Sequence, residues 1–100
     1  SIQKTISDIK LTSSEHKISF SLFPNPTNDI LHIQIELDKK SEVSLQLVYL
    51  EGMVLRNILE ESKIDETISN SIDIKNLPNG TYLIQAQIND LVHTQSFIKQ

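Results

Sequence analysis

Residues 77–100 read LPNGTYLIQAQINDLVHTQSFIKQ. Leu77-Pro78-Asn79-Gly80 has the chemistry of a turn, with proline presetting φ at an early position and glycine accepting a positive φ at a later one. Beyond it Tyr82, Ile84, Ala86 and Ile88 fall on every second residue, which places them on one face of a strand. Asn89-Asp90 is a two-residue loop of types that tolerate left-handed backbone. Leu91 to Lys99 then returns as a second strand. Most domains end in frayed, polar residues, whereas this hairpin runs to the last positions. A hairpin flush with the chain end is expected to present a strand edge and a free carboxylate that a partner can capture by strand addition.

The two-residue period extends upstream to Ile18. In LHIQIEL, Leu31, Ile33, Ile35 and Leu37 alternate with His32, Gln34 and Glu36, as in a half-buried antiparallel strand. VSLQLVYL repeats the pattern with Val43, Leu45, Leu47 and Tyr49 inward. Val48 and Leu50 interrupt its polar face, so the far end of that strand is expected to be covered. DKKSE is a charged turn between the two. Glu51-Gly52 precedes MVLRNIL, where Val54/Ile58 and Leu55/Leu59 also fit a helix. Gly52 stands where a hairpin needs a positive φ and the segment is short, which favours a strand. Glu60 to Thr67 is expected to be an acidic loop, and ISNSIDI a strand through Ile68, Ile72 and Ile74. About seven short strands at regular spacing predict an all-β, Ig-like Greek-key β-sandwich with antiparallel strands. Residues 1–17 are rich in Ser, Thr, Lys and Asp. Ile2, Ile6 and Ile9 share a helical spacing there without a cap or a long apolar face. These residues are expected to be a linker or the end of an upstream region, leaving residues 18–100 as the domain.

A chain of 100 residues with 38% hydrophobic content suffices for one such core. The net charge of -4 argues against binding nucleic acid, which needs clustered Lys and Arg. No apolar run approaches the roughly 18 residues of a helical membrane span, so no membrane insertion is expected. Cysteine is absent, which removes disulfides and thiolate chemistry.

No catalytic, cofactor-binding or metal-binding residue emerges. His16, His32 and His93 lack a second ligand at metal spacing and are expected to face solvent. Glu60, Glu61, Asp65 and Glu66 have no apolar pocket to turn them into acid–base catalysts. The serines sit in no Gly-x-Ser-x-Gly elbow. Asn79-Gly80-Thr81 matches a glycosylation acceptor, but the adjacent proline already explains it as a turn. A carbohydrate module would present flat aromatic platforms; here tryptophan is absent, and Phe20, Phe23, Tyr49, Tyr82 and Phe97 are expected to pack in the core. Tyr82 stands where Greek-key sandwiches place a tyrosine whose hydroxyl bonds the backbone upstream.

Taken in order, FPNP at Phe23 to Pro26, the mid-chain Gly52, LPNGTY and the closing SFIK resemble the type A C-terminal sorting domain of the type IX, or Por, secretion system. The matching positions are Pro24, Asn25, Pro26, Gly52, Leu77, Pro78, Gly80, Tyr82 and Lys99, and the likeness runs from about Phe20 to Lys99. The resemblance implies an Ig-like sandwich carried by cargo proteins of Bacteroidetes-type Gram-negative bacteria. It implies transit through the periplasm, then recognition by the type IX translocon and its outer-membrane shuttle protein. It also implies removal by a sortase-like cysteine protease and delivery of an upstream cargo domain to the cell surface or medium. Such a domain is a substrate of export and not an enzyme. The chain departs from the commonest pattern in ending IKQ, with one terminal lysine, and in placing Glu51 before Gly52. The rival expectation is a non-catalytic Ig-like or fibronectin-like spacer or adhesion module on the same fold.

Overall fold

Alternating apolar residues become strands where a second layer covers their apolar face. The computed structural model describes residues 18–100; the expected linker at 1–17, with His16, lies outside them. Seven strands follow in order: β1 (Ser19–Phe23), β2 (Ile30–Glu36), β3 (Ser41–Tyr49), β4 (Val54–Ile64), β5 (Thr67–Asp73), β6 (Gly80–Ile88) and β7 (Leu91–Lys99). One antiparallel sheet runs β1-β2-β5 and the other β4-β3-β6-β7. The pairings β2–β5 and β3–β6 join strands distant in sequence, which makes the connectivity Greek-key and the sandwich Ig-like.

The core is the set of alternating residues the sequence marks. Leu31, Ile33, Ile35, Ile68 and Ile72 of the first sheet meet Val43, Leu45, Leu47, Tyr82, Ile84, Ala86, Ile88 and Phe97 of the second. Burying one such aliphatic or aromatic side chain contributes about 1.5–3 kcal/mol. β7 is the least apolar of the inner faces. There His93 and Gln95 are half-buried, and the Gln95 amide donates to the Phe20 carbonyl, tying β7 to β1 along one side of the sandwich.

The expected loop from Glu60 to Thr67 is instead strand almost throughout: β4 continues to Ile64 and β5 starts at Thr67. β4 lies at the edge of its sheet, so Glu60, Glu61 and Lys63 reach water without leaving the ladder. Its register against β3 shifts between Val43 and Leu45, Leu45 and Gln46, and Leu47 and Val48, each shift putting an extra residue on β4. A bulge resets which face the next side chain takes. Leu55, Ile58 and Leu59 are consequently half-buried at spacings of three and four, which mimic a helix. The covered far end of β3 stops short as well: Val48 is buried, but Leu50 is 61% exposed.

Candidate functional site

Antiparallel strands sort their connections onto two ends. At one end lie residues 24–29, 50–53 and 74–79, together with the end of β7. Pro24, Pro26, Pro78, Gly52 and Gly80, which are every proline and glycine in the chain, belong to this end. These residue types fix or free the backbone, so their segregation shows where loop shape is specified most tightly.

Residues 25–27 lie against the end of β7. The Thr27 N–H donates to the Ile98 carbonyl at 2.9 Å, and the Gln100 N–H donates to the Thr27 carbonyl at 2.9 Å. Thr27 and Lys99 form a parallel bridge, and the Ile98 N–H donates to Asn25 Oδ1 at 2.9 Å. Thr27 is buried, and its hydroxyl donates to the Ile30 carbonyl at 2.7 Å. The Pro-Asn-Pro segment is therefore pinned to β7 by a single parallel bridge at Thr27, just after it, and by the Asn25 side chain.

The Leu77–Gly80 turn is locked from within. The Leu77 N–H donates to the Ile74 carbonyl at 3.0 Å, and Tyr82 Oη donates to the Pro78 carbonyl at 2.5 Å. Tyr82 is stacked on Phe97 and tilted against Tyr49, with ring centroids 5.7 and 6.1 Å apart. Burial pushes the Tyr82 hydroxyl above its ordinary pKa, and the neighbouring Tyr49 adds to the shift. Gly80 pairs with Lys99, whose mostly buried side chain reaches Asn79 Oδ1 at 3.5 Å. Gly52 closes the β3–β4 turn by donating its N–H to the Tyr49 carbonyl at 2.9 Å. Gly52 and Gly80 have φ of 102° and 154°, with nothing within 4 Å of where a Cβ would stand. Backbone conformation, not crowding, is what calls for glycine at both. Between these turns lies an open groove of about 570 Å³ lined by Tyr49, Leu50, Glu51, Pro78, Thr81 and Tyr82, among others.

All nine positions singled out from the sequence stand at this end. Gly52 stands in the adjoining turn, and its neighbours Leu50 and Glu51 line the groove where it does not. Sequence reasoning missed Thr27, Tyr49 and Asn79 as parts of the same surface. Thr27 gives no periodic signal because it is a buried residue among exposed ones.

Two expectations about other side chains are corrected. Phe23 is 44% exposed and stacks on His32 at 5.4 Å, so it is not a core residue; it ends the edge strand β1, where no layer covers it. His32 stays on the outer face of β2, where its Nδ1 and Ser71 Oγ share an exposed bond of 2.7 Å, whereas the Nε2 of His93 is enclosed without a partner, so His93 does not face solvent as expected. Period two places His93 on the inner face of β7, where the neighbouring sheet closes over it. Among the described residues no group of three or more His, Cys, Asp or Glu could hold a metal ion.

Residues 21–100 match the family described as the secretion system C-terminal sorting domain. The chain belongs to this family. A sorting domain of this kind is the C-terminal signal of type IX secretion, a system of the Bacteroidetes, and it engages that machinery for export to the cell surface or the medium. Sorting domains are non-catalytic in general, and the spacer reading is not favoured. No curated protein matches the chain.

Proposed function

We propose that the end of the sandwich holding the Pro-Asn-Pro segment, the Gly52 turn, the Leu77–Gly80 turn and Lys99 is the surface that the type IX apparatus reads. One observation carries this: motif positions scattered from Pro24 to Lys99 converge on one end, joined through Thr27, Asn25, Tyr82 and Asn79. Loops held by proline, cross-strand bonds and a buried aromatic stack lose little entropy on docking. In this reading the outer-membrane shuttle and the translocon bind this end after the domain has folded in the periplasm. Residues 18–100 are the sorting domain and residues 1–17 connect it to the cargo. A sortase-like cysteine protease then separates the two.

The test fuses the chain to an exported reporter in a host with a type IX apparatus. Leu50→Lys with Glu51→Lys alters the exposed rim of the groove and leaves the core intact. Surface reporter is expected to fall at least about tenfold, the scale of losing one interface anchor, with folded protein held in the periplasm. Asp38→Lys with Asp65→Lys, at the opposite end, is expected to leave display unchanged. Equal display by both double variants would overturn the assignment of the reading surface.

A further inference from the structure

The two edges of the four-stranded sheet differ in how they are protected. β4 carries three register shifts and the charged Arg56, Glu60, Glu61 and Lys63, devices that discourage pairing with another strand. β7 has none of these. Its register with β6 is unbroken from Leu91 to Lys99, and it contains no proline and no formal charge before Lys99. Val92, Thr94 and Ser96 are exposed residues of types that favour strands or tolerate them.

The direction of the β7 backbone follows from its last residues. Ile98 turns both its N–H and its carbonyl away from β6, to Asn25 and Thr27, and Gln100 turns its N–H the same way. Alternate residues of an antiparallel strand share that direction. Val92, Thr94 and Ser96 therefore point their N–H and C=O groups outward, and among the described residues these groups have no backbone partner. The free edge has fixed limits. At one end the Asn25–Thr27 segment already occupies it, and Pro24 and Pro26 lack the N–H needed to extend that pairing. At the other end the chain turns at Asn89, where φ is 54°. The final residues are thus not the open part of the edge; the open part is Val92–Ser96.

We propose that Val92–Ser96 is a strand-addition site for an extended segment of the type IX export apparatus. The segment would bond the outward backbone groups of Val92, Thr94 and Ser96, and small or β-branched uncharged side chains would suit the row beside it. The proposal rests on the sorting function of the domain. A single strand fits better than a second copy of the chain. Antiparallel β7–β7 pairing centred on Thr94 would set the occupied Ile98 stretch of each copy against the Asn89-Asp90 turn of the other, whereas a lone strand meets no such obstacle.

Thr94→Pro tests this directly, because it deletes an outward N–H and no β6–β7 bond. Fused to the exported reporter, folded Thr94→Pro is expected to lose surface display about tenfold. Thr94→Ala, which keeps the N–H, is expected to lose several-fold less, and Lys40→Ala is expected to display as the parent does. Wild-type display from Thr94→Pro that folds normally by circular dichroism would overturn the proposal, as would an equal loss from Thr94→Ala. Should Thr94→Pro fail to fold, Thr94→Lys places a charge on the same edge and is expected to lose display while melting near the parent; unchanged display would overturn the proposal. Hydrogen exchange on the unfused chain is expected to show fast amides at Val92, Thr94 and Ser96 at every protein concentration. Protection that grows with concentration would assign the edge to a second copy and overturn it. If the parent fusion itself stays off the surface, the sorting reading has failed; if it is displayed and the β7 variants are too, only the strand-addition site has.

Discussion

The two ends of the sandwich close the same strands in opposite ways. The far end uses residues 37–40, 65–66 and 89–90, short connections rich in charge. It is held by backbone bonds from Leu37 to Glu66 at 2.7 Å and from Asn89 to Glu42 at 2.8 Å, and by the exposed Lys40–Asp65 ion pair at 3.7 Å. The other end holds every proline and glycine, a buried threonine, a clamped asparagine and a cluster of three aromatic rings. Turn chemistry of the first kind is enough to reverse a strand. The second kind specifies a surface, and the positive φ at Gly52 and Gly80 restricts which residues can stand there.

The largest expected effect contrasts packing at the two ends. Phe97 is fully enclosed beneath the motif end, so Phe97→Ala is expected to cost about 3–5 kcal/mol in urea unfolding. Lys40→Ala at the far end is expected to stay within about 0.5 kcal/mol, since an exposed ion pair contributes little. Comparable losses from the two would erase the distinction between the ends.

Tyr82→Phe sharpens the comparison. It removes the donor to the Pro78 carbonyl and leaves that acceptor without its partner, an expected cost of about 1–2 kcal/mol. Because the folded state raises the Tyr82 pKa, this hydroxyl supports folding below the ordinary tyrosine value near 10, and the support is lost as pH rises through the folded value. Melting of the parent chain is expected to drop more steeply above that pH than melting of Tyr82→Phe; parallel curves would refute the buried-hydroxyl account.

The smallest effect belongs to the far end. The Glu61 carboxyl is raised above its ordinary pKa by a hydrogen bond with the Glu42 side chain and by that group's charge. A raised carboxyl binds its proton more tightly when folded, so its contribution favours the fold below the unfolded pKa and is lost as pH rises through the folded one. Glu61→Gln is expected to melt slightly above the parent at pH 7, with the gap closing as pH falls below about 4, where carboxylates protonate. A gap that widens on acidification would contradict the Glu42 contact.

Much of the fold was legible because alternation is a local property. Leu31, Ile33 and Ile35, or Tyr82, Ile84, Ala86 and Ile88, announce a buried face without reference to any other part of the chain, and all of them are core. Gly52, Gly80 and Asn89 likewise signalled their turns through backbone sterics alone. β4 was obscured where each extra residue shifted the phase against β3, since a bulge exists only relative to a partner strand. The motif residues were visible individually, but their meeting was not. Asn25 reaches Ile98, and Lys99 lies beside both Thr27 and Asn79, only because β2 pairs with β5 and β3 with β6 across the sequence. Edge status has the same origin: nothing in Val92–Ser96 says that no strand follows it in the sheet. Short-range sterics and hydrophobic periodicity write strands and turns into the chain, whereas which backbone groups stay unpaired and which loops touch is set by strand order, a property of the whole assembly.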